Sequence, residues 1–132
     1  MDTTRKFLDK DNFAKHCGIE LLDVSPGRAT ASMRLADRHL NGVAVCHGGA
    51  IFSLADFAFA AASNSHGTIA VAINASISFL KAAREGTLTA VAEEVAINPK
   101  LASYRINVTD EEGDIVAIFQ GMVYRKKDKI EP

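Results

Sequence analysis

One carboxylate stands where the chain otherwise avoids charge. Asp56 sits in the middle of Ile51-Phe52-Ser53-Leu54-Ala55-Asp56-Phe57-Ala58-Phe59. An ionised carboxylate in an apolar interior is costly unless it is paired or reached by water. Asp is also a modest helix former, so building a helix does not ask for one here. Two readings fit. The carboxylate lines a site or an interface, or it lies on an exposed stripe or bonds to backbone. A displaced carboxylate is a pointer to function and not a proof of it.

Upstream lies His47-Gly48-Gly49. If a helix starts there, its first N–H groups are unpaired and its positive dipole end is open. Glycines let a ligand approach that backbone closely, and such an end can hold a developing oxyanion or polarise a carbonyl. The structural reading is that two glycines merely permit a tight turn into the helix. Gly48 and Asp56 are eight residues apart, which on one helix is roughly 12 Å along the axis. A small reacting group cannot touch both in one chain. If both serve one reaction, they come from two chains, and function requires at least a dimer with two symmetry-related sites.

The elements that must position these residues follow from periodicity. Residues 3–16 hold Phe7, Leu8 and Phe13 among charges and read as one short amphipathic helix ending near Gly18. Residues 19–24 and 28–35, separated by Ser25-Pro26-Gly27, read as a β-hairpin. A loop runs from Asp37 to His47. The stretch from Gly48 to about Asn64 is rich in Ala and poor in β-branched residues, which predicts a helix. It is apolar nearly all round, so it is expected to be buried, with Gly67 as a stop signal. Residues 69–79 alternate, Ile69, Val71, Ile73, Ala75, Ile77 and Phe79 against Asn74, Ser76 and Ser78, which predicts a strand with one core face. Residues 87–97, 101–109 and 115–125 are three further strands, and Arg125-Lys126-Lys127-Asp128-Lys129 reads as a solvated tail. Short connections make the last strands antiparallel. One apolar helix wrapped by a curved antiparallel sheet is an α+β domain, expected to span residues 1–132 as a single unit.

Bulk properties narrow the function classes. A chain of 132 residues with net charge −1 gives no reason to expect a nucleic-acid partner. Cys17 and Cys46 are too few for a disulfide framework. The apolar stretch from Ala50 to Ala62 is broken by Ser53 and Asp56 and too short to span a bilayer. No apolar run follows the first residues, so the expectation is a cytoplasmic protein with no secretory signal and no membrane partner.

The segment from Asn41 through Val43, Cys46, His47, Gly48 and Gly49 to Leu54-Ala55-Asp56 resembles the signature of PaaI-like hotdog thioesterases, the phenylacetate-degradation type. That pattern is an Asn, then His-Gly-Gly six residues on, then an apolar helix with Leu-Ala-Asp, and all three parts match in spacing. Ala75-Ser76-Ile77-Ser78-Phe79-Leu80 resembles the family's strand after the helix. The resemblance implies the hotdog fold, homodimers that usually pair into homotetramers, and hydrolysis of an acyl-CoA substrate with neither cofactor nor metal. It implies Asp56 as general base or nucleophile and the Gly48 N–H of a partner subunit on the carbonyl oxygen. His47 and Asn41 would position that carbonyl or the water. Gly49, Asn74 and Ser76 are further candidates for substrate contact, with Asn64, Asn74 or Ser76 in the place of a Ser or Thr that such enzymes often use. The chain departs from the family at Lys81-Ala82-Ala83-Arg84, where a Pro is common near the position of Ala82.

Other residues compete less well. His16, His39 and His66 have no metal-ligand spacing and read as surface or capping residues, and Cys46 reads as a packed thiol, not half of a Cys-His pair. Coenzyme A carries phosphates, for which Lys81, Arg84, Lys100 and Arg105 are cationic candidates, Lys81 and Arg84 first. A non-catalytic acyl-CoA-binding module is the alternative function, though simple binding needs no buried carboxylate. A hotdog dehydratase would need a His with an acid partner in a different motif.

Overall fold

The computed structural model describes residues 1–132. The expected helix over 3–16 is in fact two, α1 (Asp2–Leu8) and α2 (Asn12–His16). Asp11 causes the break: its Oδ1 accepts the Ala14 N–H at 2.9 Å and starts the second helix. The hairpin follows as β1 (Ile19–Ser25) and β2 (Arg28–Arg34), turning at Gly27 with φ 74°. A single 3₁₀ turn at Asp37–His39 lies in the next loop. Then come α3 (Gly48–Ser63) and the strands β3 (Thr68–Phe79), β4 (Thr87–Ile97), β5 (Leu101–Thr109) and β6 (Ile115–Lys129).

The six strands form one antiparallel sheet in the order β1-β2-β4-β5-β6-β3. α3 lies across its concave face, so the chain leaves the sheet after β2 and re-enters it at the far edge. This is the α+β hotdog arrangement. Ala29, Ala31, Ala90, Ala92 and Ala102 are buried in β2, β4 and β5, and these small side chains let the helix come close. Phe59 fills the centre. Its ring sits 5.8 Å from Tyr104 and 5.4 Å from Phe119, in edge and tilted geometries that aromatic pairs favour. A Cβ on Gly121 would stand 2.6 Å from that ring, so only glycine fits beneath it.

Three expectations need correction. α3 is not covered all round: Gly49, Ser53, Asp56 and Ala60 keep part of their surface, and their spacing places them on one helix face. β3 has no fully buried face. Val71, Ile73 and Phe79 are exposed, and only Ala70 and Ile77 pack partly on the core. The strand lies at the sheet edge, largely beyond the cover of a single helix. Finally, 125–129 is not a free tail. β6 continues to Lys129, which pairs with Thr68, because the long β3 offers it a partner.

Gly121→Ala is expected to lower stability by about 1–3 kcal/mol through overpacking against Phe59. Urea unfolding should show a lower midpoint with an unchanged slope.

Candidate active site

The start of α3 is built by a chain of short bonds. His47 is the N-cap, in extended conformation at φ −60° and ψ 136°. Its N–H donates to the His39 carbonyl at 2.7 Å, and its own carbonyl accepts from Ala50 and Ile51 at 2.9 and 3.2 Å. Its ring Nδ1 accepts the Gly49 N–H at 2.8 Å. A neutral imidazole that accepts at Nδ1 carries its proton on Nε2. That N–H is left free on an exposed side chain.

This capping also sorts the first amides of the helix. Gly49 donates to the His47 ring and Ala50 to the His47 carbonyl, while the Gly48 N–H has no acceptor in the chain. Gly48 therefore presents an unpaired donor at the positive end of a sixteen-residue helix. The Phe79 ring crowds it: a Cβ there would be 3.1 Å from Cζ.

Asn41 shapes the loop that delivers His47. Its Oδ1 accepts from Val43 N–H at 3.0 Å and Val45 N–H at 3.3 Å, and its backbone N–H donates to the Val45 carbonyl at 2.8 Å. Ala44 takes a left-handed φ of 60° to close this turn. The Asn41 carboxamide NH₂ has no partner within the chain, so it remains a free donor. Cys46 is buried behind the loop, as the packed-thiol reading holds. Burial pushes its thiol up to about 11, which keeps it protonated at neutral pH.

His39 was not singled out as part of this architecture. It is buried, not at the surface, and it does cap: both ring nitrogens are used, one of them closing the 3₁₀ turn. Nδ1 accepts the Ala36 N–H at 2.9 Å, and Nε2 donates to the Cys17 carbonyl at 2.7 Å. Its backbone carbonyl then holds His47. Nothing in the spacing of the histidines signals this; the burial is tertiary.

Asp56 lies on the open stripe of α3. Burial raises its carboxyl above the ordinary value, and the nearby charge of Asp11 raises it further; no hydrogen bond offsets either effect. Ser53 stands one turn earlier on the same stripe, its Oγ donating to the Gly49 carbonyl at 2.7 Å. Gly48 and Asp56 are two turns apart on α3 and do not meet within the chain.

Two depressions flank the helix start. One of about 290 Å³ is walled by Phe13, Leu40, His47, Gly49 and Ser53. The other, of about 390 Å³, is walled by Val45, Gly48, Ile51, Phe79 and Leu80.

The remaining candidates are scattered. The register that sets Ser76 opposite Gln120 turns Asn74 and Ser76 onto the sheet face away from α3, beside Ser103 and Arg105. Asn64 is buried and structural, its Nδ2 donating to the Ala60 carbonyl at 2.8 Å and its Oδ1 accepting the Ala70 N–H at 3.0 Å. The Lys81 ammonium is held by Asp110 and Asp114 at 2.6 and 2.7 Å. Arg84 is exposed and forms no ion pair. No group of three or more His, Cys, Asp or Glu side chains gathers as metal ligands would, and no helix is long and apolar enough to cross a membrane.

Known proteins are similar to this chain in sequence and fold. The model of the thioesterase superfamily matches residues 44–117. A protein of Archaeoglobus fulgidus is 46% identical over 113 residues, which cover 85% of this chain and 73% of that protein. The acyl-coenzyme A thioesterase PaaI of Escherichia coli is 39% identical over 118 residues, covering 89% of this chain and 84% of PaaI. The solved structure of E. coli PaaI superposes with a TM-score of 0.93 at 35% identity, covering 97% of this chain and 94% of that one. A variant of the phenylacetic acid degradation protein PaaI from Thermus thermophilus superposes with a TM-score of 0.84 at 35% identity, covering 88% of this chain and 100% of that one. The chain therefore belongs to the thioesterase superfamily, as a PaaI-like hotdog thioester hydrolase.

Proposed function

We propose that the chain hydrolyses acyl-CoA thioesters as a homodimer, each reaction centre taking Asp56 from one protomer and the Gly48 N–H from its partner. The observation that carries this reading is Asp56 itself, an unpaired carboxylate raised by burial and set on the open stripe of α3. A structural Asp would be bonded or fully solvated, and this one is neither. The Gly48 N–H, unpaired at the other end of the same helix surface, is the matching donor for an oxyanion.

Thioester hydrolysis needs a nucleophile, a donor where negative charge develops, and a shielded site. Asp56 either removes a proton from the attacking water or attacks the carbonyl carbon itself. The partner's Gly48 N–H receives the charge that moves onto the carbonyl oxygen. His47 Nε2–H and the Asn41 NH₂, both free donors, would orient the carbonyl or the water. Collapse of the tetrahedral centre expels the CoA thiolate, which takes up the proton that Asp56 removed as base. Where Asp56 attacks instead, water then hydrolyses the acyl–Asp56 anhydride to the free acid and restores the carboxylate. Arg84, without an ion-pair partner, is available to the CoA phosphates, whereas Lys81 is already held by two carboxylates.

The dimer reading rests on β3. Its outer edge is unpaired, and its twelve residues contain no charge and no proline. Edges of monomeric sheets are normally blunted by such residues. Pairing two copies of β3 about a two-fold axis would continue the sheet, cover Val71, Ile73 and Phe79, and set the two α3 helices antiparallel. Each Gly48 would then approach the other chain's Asp56.

Asp56→Asn is expected to cut free-thiol release from acyl-CoAs at least about 100-fold with the fold intact. A panel of phenylacetyl-, hydroxyphenylacetyl-, benzoyl-, acetyl- and hexanoyl-CoA tests this, and undiminished turnover would remove Asp56 from the mechanism. The same variant should be more heat-stable than the native protein at pH 8. A carboxyl raised above its unfolded value of 3.8 penalises the fold when ionised, and the penalty fades as pH falls towards that value. The gain in melting temperature should therefore shrink in acid.

Subunit sharing has its own test. Gly48→Pro removes the N–H at a first helical position, where the backbone tolerates proline and the Phe79 ring must yield a few tenths of an ångström to the added Cβ. Coexpressed with Asp56→Asn, it should restore roughly a quarter of native activity, since half the dimers are mixed and each has one intact site. A centre confined to one chain would give none.

A further inference from the structure

We propose that the depression beside His47 receives the acyl group, and that Phe13 and Arg38 select an acyl group with an apolar body and a terminal carboxylate. This rests on the acyl-CoA reading above and names the substrate class for it.

One side chain ties the walls of the depression together. The His39 ring donates from Nε2 to the Cys17 carbonyl at the end of α2, at 2.7 Å. Its Nδ1 accepts the Ala36 N–H at 2.9 Å, which closes the 3₁₀ turn that carries Arg38. Its backbone carbonyl accepts the His47 N–H at 2.7 Å. The end of α2, the 3₁₀ turn and the start of α3 are therefore one frame. α2 is anchored in the core by Ala14, which is buried, and this leaves Phe13 outside at 66% exposure. Phe13 shares the depression with Leu40, His47 and Ser53. An apolar acyl body laid on the ring would remove that surface from water. A dry cavity of roughly 150 Å³ holds benzene. The depression measures about 290 Å³, which leaves room for a chain with a charged end.

The charge of the depression has one sign. Arg38 and His16 line it, and no Asp or Glu does. Arg38 takes part in none of the ion pairs of the chain. Its guanidinium is nevertheless seated: Nη2 lies against Gly18, where a Cβ would meet it. Gly18 has a φ of 74°, so the glycine that ends α2 also makes room for the guanidinium. A guanidinium with uncommitted donors matches a carboxylate through two parallel bonds. The CoA side is the opposite one. The cleft of Arg84 shares Lys81 and Ala82 with the depression at Gly48 and Phe79, on the other flank of the helix start. A thioester entering from there with its carbonyl at Gly48 sends its acyl group past His47 towards Phe13 and Arg38. The reaction is the same hydrolysis: water cleaves the C–S bond and leaves a dicarboxylate and CoA.

Chain-matched pairs test the charge: adipyl- against hexanoyl-CoA, and suberyl- against octanoyl-CoA. The native protein should show the higher kcat/KM on the dicarboxylic member of each pair. Arg38→Gln should cut kcat/KM for adipyl- and suberyl-CoA about 10-fold, chiefly through KM. The same variant should change the monocarboxylic members by less than about two-fold, at an unchanged melting temperature. Arg38→Lys should recover part of the loss, and Phe13→Ala should weaken both members of each pair. Equal losses on both members in Arg38→Gln would overturn the proposal and put the guanidinium on the CoA phosphates. A native preference for the monocarboxylic chains, or a Phe13→Ala protein with native kinetics, would overturn it too. Binding separates the acyl site from the catalytic reading beneath it. In calorimetric titration of Asp56→Asn, adding Arg38→Gln should raise the Kd for adipyl-CoA about 10-fold and leave that for hexanoyl-CoA in place. If that difference holds while the native protein turns over none of the four thioesters, the catalytic reading fails and the acyl site stands.

Discussion

The contact between Phe59 and Gly121 sets the spacing on which the rest of the molecule depends. A helix can be wrapped by a sheet only if some strand position yields room for its largest side chain. Gly121 yields it, and the Phe59 ring settles between Tyr104 and Phe119. The alanines of β2, β4 and β5 lower the floor on either side. Once the middle of α3 is seated, its two ends have no freedom left. The Gly48 end lies against Phe79, and the stripe carrying Ser53 and Asp56 turns away from the sheet.

The helix start is then held from the loop side. The His39 ring ties the 3₁₀ turn to Cys17, its carbonyl holds His47, and the Ala83 carbonyl accepts from Cys46 at 2.7 Å. His47 caps Gly49 and leaves Gly48 alone, so the same residue both completes the helix and exposes one donor. Asn41 divides its carboxamide in a similar way, oxygen to the loop and NH₂ to solvent. Each of these residues satisfies the fold with one atom and leaves another donor free.

Asp56 runs against the stability of the chain that holds it. Its carboxyl is desolvated and repelled by Asp11, and nothing within the protomer compensates. The open stripe of α3 and the uncharged edge of β3 share this incompleteness: both are surfaces that one chain does not finish. In the proposed dimer they would be finished together, and the strain on Asp56 would become a property of the reaction centre.

Much of this was legible in sequence. Strand-like runs bounded by turn residues marked the strands, and a composition rich in Ala and poor in β-branched residues marked the central helix, because local burial and propensity act on each element irrespective of its neighbours. Asp56 and His47-Gly48-Gly49 stood out because a charge in an apolar run and paired glycines at a helix start are local anomalies. Their eight-residue separation already placed them too far apart to act within one chain. What the sequence did not carry was whatever depends on which element lies next to which. The period of β3 promised a core face, but its place at the sheet edge left it uncovered. Lys81 was a free cation on paper until the β5–β6 turn brought Asp110 and Asp114 to it. His39 read as a surface or capping residue, because the Cys17 carbonyl that holds its ring is brought to it only by the tertiary fold. Pattern determines what each segment is, since it reflects local burial and local bonding. Only the packed chain decides which free donor, charge or edge each segment presents, since that depends on partners distant in sequence.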